Sequence, residues 1–169
     1  MKTPSNPAPL IPFALMAAML LAGCAGVGGV IPQQSTMVEV RAKAGSPTDI
    51  WFDRNADELW EYATGPMGFE THLLRFGADG RVKEKVQILT EQRLQSIVPG
   101  EMTKADVRRI LGRPSDQSFP RIGTVWSWRA HIGVQPGYFS VSFNPNGTVR
   151  ERIVLIDPSG GGSREGAGR

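Results

Sequence analysis

Sliding the chain past itself by 67 positions brings matching residues into line along most of its length. Ile31-Pro32 faces Val98-Pro99, Val40-Arg41 faces Val107-Arg108, and Gly45, Pro47 and Asp49 face Gly112, Pro114 and Asp116. Farther on, Phe76, Gly80, Val82 and Glu84 face Phe143, Gly147, Val149 and Glu151. Trp60-Glu61-Tyr62 answers Trp126-Ser127-Trp128 one residue out of phase, and the phase is recovered before Phe76. Matches ordered on one diagonal mean a duplicated structural unit, which constrains the fold more than composition does. A unit of about 60 residues buries too little surface to be comfortable alone, so the two copies are expected to pack together.

The second copy shows the plan more clearly. Thr90 to Ile97 reads as a short helix ended by Pro99-Gly100. Thr103, with Asp106 three residues later, makes a capping-box pattern, and Val107, Ile110 and Leu111 mark the apolar face of the next helix. Gly112 suits the left-handed position that stops a helix, and Pro114 prevents it resuming. Three strands are expected after it. Trp126, Trp128 and Ala130 alternate with Ser127 and Arg129, then Phe139, Val141 and Phe143 with Ser140 and Ser142. Asn144-Pro145-Asn146-Gly147 makes the hairpin turn, because Asn-Gly tolerates positive φ, and the third strand runs from Thr148 to about Ile156.

In the first copy, Ser35 or Thr36 caps a helix reaching Lys43-Ala44, which Gly45 and Pro47 end. Strands are expected around 59–63, 71–76 and 81–88, with Ala78-Asp79-Gly80 as the second turn. Period-2 alternation gives each sheet one apolar face for helices to cover. The expected fold is α+β, with two tandem modules at 31–89 and 90–158. Each is a short helix or helices followed by a three-stranded antiparallel β-meander.

The ends read differently. Lys2 precedes an apolar run from Leu10 to Ala22, too short to span a bilayer and interrupted by Pro12. Leu21-Ala22-Gly23-Cys24 follows, and Cys24 is the single cysteine of the chain. This tetrapeptide resembles a lipobox, which implies that 1–23 is a lipoprotein signal peptide and that Cys24 carries the lipid. Ala25, and not Asp, follows the cysteine, and resemblance to enterobacterial lipoprotein sorting then implies the outer membrane, with the chain lipid-anchored on its periplasmic face. Gly26-Val27-Gly28-Gly29 reads as a flexible tether, so 24–30 is lipidated Cys and linker, and 159–169 is a Gly-rich disordered tail.

The stretch from Pro99 to Pro114 resembles the SmpA/OmlA family, the BamE-like outer-membrane lipoproteins. The residues that carry the likeness are Gly100 and Met102-Thr103, Val107-Arg108, and Leu111-Gly112-Arg113-Pro114, followed by Trp-bearing strands with an Asn-Gly turn. Glu101 stands between Gly100 and Met102 as a departure from the family pattern. The resemblance is close over 90–158 and extends to the first copy in outline, a tandem form of the module. It implies a non-catalytic interaction module accessory to β-barrel outer-membrane protein assembly or envelope integrity. Its partners would be barrel-assembly subunits or another envelope protein. Tandem helix–sheet modules also resemble the β-lactamase inhibitor protein fold. That likeness implies an alternative, an inhibitor-like periplasmic protein that grips an envelope enzyme with its sheet.

The chemistry of the remaining residues points the same way. Net charge is +3, but Lys83 and Lys85 flank Glu84 and Arg150 and Arg152 flank Glu151, so no basic run follows a phosphate backbone and no nucleic-acid partner is expected. No cofactor, metal site or catalytic set can be assembled. His72, at the position Phe139 fills in the other copy, reads as a partly buried, hydrogen-bonded imidazole, and His131 lies far from it. Asp53, Asp57, Glu58 and Glu61 read as an exposed acidic turn, and Trp60, Trp126 and Trp128 as core. The candidate partner-binding residues are Met67 and Phe69 in one strand–strand loop and Phe119 and Arg121 in another. Arg41 with Glu84, and Arg108 with Glu151, recur together and are expected to form ion pairs.

Overall fold

The structure, a computed structural model, describes residues 26–64, 68–121 and 123–157. In the first module a 3-10 turn at Val27–Gly29 precedes helix α1 (Met37–Ala44) and strands β1 (Asp49–Phe52), β2 (Glu58–Ala63), β3 (Thr71–Phe76) and β4 (Val82–Gln87). The second module has helices α2 (Glu91–Gln95) and α3 (Lys104–Leu111), then strands β5 (Asp116–Ser118), β6 (Thr124–Ile132), β7 (Gln135–Phe143) and β8 (Val149–Ile156). Each set of strands forms one antiparallel sheet in sequence order, β1-β2-β3-β4 and β5-β6-β7-β8.

Both sheets therefore have four strands, not the expected three. The extra strand is the segment after each helix. Gly45 and Gly112 stop α1 and α3 at φ of 77° and 73°, and Pro47 and Pro114 lead into extended chain. Backbone bonds from Thr48 N to Glu61 O (2.7 Å) and from Ser115 N to Ser127 O (2.9 Å) then dock that chain on the sheet. Asp116-Gln117-Ser118 has no apolar alternation and is exposed, because an edge strand formed by ladder bonds needs none.

The duplication is exact enough to repeat irregularities. Each sheet has a register shift at the same place, between Arg75 and Phe76 and between Ser142 and Phe143. Isolated bridges Thr36–Arg81 and Thr103–Thr148 fasten each helix entry to its own sheet. The one-residue phase slip lies where the sequence places it: Trp60 pairs with Leu74, and Trp126 with Val141.

Both main helices begin with a full capping box. Thr36 N donates to Glu39 Oε2 (2.9 Å) and Thr103 N to Asp106 Oδ2 (2.9 Å), while each threonine hydroxyl accepts from the third residue's N–H. Hydrogen bonds from Thr36 hold the Glu39 carboxyl below its ordinary range, and those from Thr103 do the same for Asp106.

Three apolar clusters place the layers. α1 and the N-terminal turn cover one face of the first sheet through Val27, Val30, Val40, Trp60, Tyr62, Leu74, Phe76 and Val82. α2 and α3 cover the inner face of the second sheet through Leu94, Val107, Leu111, Trp128, Phe139, Val141 and Phe143. Leu59, Leu73 and Ile88, with Trp51 and Val86, line the other face of the first sheet. α3 lies against that face, so α2 and α3 sit between the two sheets.

The expected tether is part of this core. Val27 is 4% exposed and Val30 is 3% exposed, and Lys85 Nζ donates to the carbonyls of both (3.1 and 3.3 Å). The two valines occupy the places that Leu94 and Ile97 hold in the second module, so the glycine-rich stretch is a shortened copy of α2. Residues 1–23, Cys24 and the tail 159–169 lie outside the described residues.

Removing a cap tests the equivalence of the modules. Thr36→Ala and Thr103→Ala should each cost ~0.5–2 kcal/mol in denaturant unfolding. Both capping carboxylates are depressed in the folded state, so their contribution is present above the ordinary carboxylate range. It is lost as pH falls through the lowered values. The wild-type and mutant unfolding midpoints should therefore converge under acid conditions.

Candidate functional site

The most buried acid among the described residues joins the two modules. Glu61, on β2, is 0% exposed. Its carboxylate accepts from Trp51 Nε1 (3.0 Å), from Arg113 N (3.0 Å) and from the Arg108 guanidinium. Arg108 also pairs with Asp49. A buried carboxylate is tolerated only with such a set of donors, and two of them belong to the second module. Gly112 is favoured here by its φ of 73°, and an added Cβ would also press on the ends of the Ile88 side chain (2.7 Å to Cδ1) and of Glu61 (3.2 Å to Oε2).

This overturns two readings of the sequence. Glu61 is not part of an exposed acidic turn, since strand alternation turns it toward α3. The pairs Arg41–Glu84 and Arg108–Glu151 do not form. Glu84 and Glu151 lie on edge strands with their side chains 54% and 53% exposed, where no buried charge demands a partner. Glu84 instead meets Arg75 (3.4 Å), and Glu151 meets Arg150 (3.2 Å) and accepts from Ser142 Oγ (3.1 Å). Arg41 lies over the Trp60 ring, 5.0 Å from its centroid.

The acidic residues near Glu61 also have structural work. Asp53 pairs with Arg75, and Asp57 pairs with Lys83 (2.8 Å), which ties the β1–β2 turn to β3 and β4. Burial raises the Asp53 pKa, but N–H bonds from Asn55 and Asp57 and the Arg75 charge outweigh it and hold the carboxyl low. His72 is half-buried on β3 and meets Glu70 Oε2 at 3.1 Å. His131, on β6, is exposed and packs against the Phe69 ring at 4.7 Å between centroids.

The partner-binding candidates separate. Phe69 folds back across the module boundary, between His131 and the Arg129 guanidinium 4.5 Å from its centroid, because two flat polar surfaces are within its reach. It is a junction residue and not a free loop tip. Met67 lies outside the described residues. Phe119 is 75% exposed, and Arg121 beside it is exposed too. Their loop lacks the acids that tie down its counterpart in the first module. Gly123 carries the chain so close to Phe143 that a Cβ would meet its carbonyl oxygen at 1.9 Å.

Sequence reasoning missed a groove on the open half of the α3-facing side of the first sheet. It has a volume of about 490 Å³, a floor of Trp51, Leu59 and Leu73, and a rim that includes Arg54, Arg93 and Arg109, with exposed Phe52 beside it. That volume lies within the ~300–1,000 Å³ common for binding clefts. A crevice at the module junction, lined by Glu70, Arg113, Trp128 and Arg129, is smaller, about 240 Å³. The groove depends on residues from both modules, so no pattern within one copy could reveal it.

No protein-family model and no curated protein matches the chain. Among solved structures it is similar to a DUF4309 family protein (YjgB) from Bacillus subtilis, with 16% identity over 77% of this chain and 84% of that one. The TM-score is 0.29, a likeness too slight to carry an argument.

The junction is testable by charge removal. Glu61→Ala strands Arg108 and two further donors and should cost about 3–5 kcal/mol in urea unfolding. Asp49→Ala, at a half-exposed carboxylate, should cost only ~0–1 kcal/mol. Adding Arg108→Met to Glu61→Ala should recover part of the loss.

Proposed function

We propose that the chain is an outer-membrane lipoprotein, acylated at Cys24 and held on the periplasmic face. Its two BamE-like modules serve there as a non-catalytic protein-interaction device, accessory to β-barrel outer-membrane protein assembly or envelope integrity. The observation that carries this reading is Leu21-Ala22-Gly23-Cys24 at the end of a short apolar run, in a chain with no other cysteine. Among the described residues no helix is long and apolar enough to cross a membrane. In this reading the acyl chains supply attachment, at ~0.8 kcal/mol per buried methylene.

The interaction role is supported by how the polar residues are used. Glu61, Asp53, Asp57 and Arg108 hold sheets, turns and modules together, while the arginine-rimmed groove and the Phe119–Arg121 loop face outward. An apolar floor with cations around it accepts a protein segment that carries apolar side chains and carboxylates.

Two experiments address this reading. Cys24→Ala should shift the protein out of the outer-membrane fraction, and wild-type partitioning of that variant would refute the anchor. Photo-crosslinkers at Phe52 and Phe119 in intact cells should capture barrel-assembly subunits or another envelope-maintenance protein. Capture of a soluble envelope enzyme would favour the inhibitor-like role. Arg54→Glu should weaken capture from position 52 without moving the unfolding midpoint, because that side chain lies exposed on the groove rim.

A further inference from the structure

The helix layer of the second module is covered on both sides. α2 and α3 turn Leu94, Val107 and Leu111 to the second sheet, and α3 presents Ala105, Arg108 and Arg109 to the first sheet beside Asp49 and Trp51. The corresponding layer of the first module covers its sheet with Val27, Val30 and Val40. The residues of α1 that match Ala105, Arg108 and Arg109 are Val38, Arg41 and Ala42, and all three are exposed. Val38 is 79% exposed, and Ala42 stands one turn along the same side. α1 is thus apolar toward its sheet and again, through these two residues, away from it.

We infer that this outer side of α1 rests against the lipid bilayer, an inference that depends on the anchor proposed at Cys24. Val27 is fixed in the core, and only Ala25 and Gly26 separate it from Cys24. At full extension that leaves about 11 Å of chain between the buried valine and the acylated residue. Acyl chains inserted in the membrane therefore bring the layer that contains Val27 to the headgroups. That is also the layer with an uncovered apolar side. Ile31, next to the buried Val30, is 52% exposed and adds to the apolar surface near the anchor. The exposed Lys43 has a stem long enough to lie along the apolar boundary while its charge stays at headgroup level.

The test uses the full-length lipidated chain in phosphatidylethanolamine–phosphatidylglycerol vesicles containing brominated lipid. Single cysteines at Val38, Ala42 and Val134 carry a bimane label, and flotation scores attachment. Val134, on the β6–β7 turn, is 96% exposed and serves as the reference. Labels at 38 and 42 should shift to shorter emission wavelength and be quenched several-fold more than the label at 134. Val38→Asp should return the label at 42 to the level at 134 while the protein still floats. Equal quenching at all three sites in floating protein would overturn the docking and leave the anchor standing. Protein that fails to float would overturn both.

Discussion

A buried carboxylate with donors from two modules holds this molecule together. Inside the sheet–helix interface the Glu61 carboxylate accepts from Trp51 of its own module and from Arg108 and the Arg113 N–H of the other, and burying it without them would be costly. Because α3 supplies both the apolar cover for the second sheet and the cation for the first, the two cores share one helix layer. Gly112 lets that layer come close, and Ile88 fills the space beside it. The groove, with a floor from the first sheet and arginines from both modules, exists only while this contact holds.

Much of the fold was legible because local chemistry is repeated in it. Thr36 and Thr103 cap, Gly45 and Gly112 stop, and Gly80 and Gly147 turn at positive φ, each pair at the same offset. What escaped were elements whose stability is not local. Asp116-Gln117-Ser118 becomes a strand through ladder bonds to β6 and carries no pattern of its own. Gly26-Val27-Gly28-Gly29-Val30 has the composition of a linker, and only its alignment with Leu94 and Ile97 marks its two valines as core.

The site was less legible for the same reason. Charge repeats suggested that Arg41 and Arg108 have equivalent partners, yet the two modules use this position differently. Arg108 has another module's sheet behind it, whereas Arg41 has none and lies over Trp60. A repeat reveals what each copy does alike, and an interface between copies depends on what they do differently. Phe69 illustrates this: its hydrophobicity suggested a free loop tip, but His131 and Arg129 of the other copy receive it.

The same difference appears on the far side of the second sheet. The positions that correspond to Trp51, Glu61 and Leu73 are held there by Ser118, Ser127 and Ser140, with the last two joined by a 2.8 Å hydroxyl contact. A third copy added by another duplication would bring its own arginine to a surface without the matching glutamate. It would also find hydroxyls where the first sheet offers an indole and a leucine. The stack is closed at that end by three serines, and the architecture counts to two.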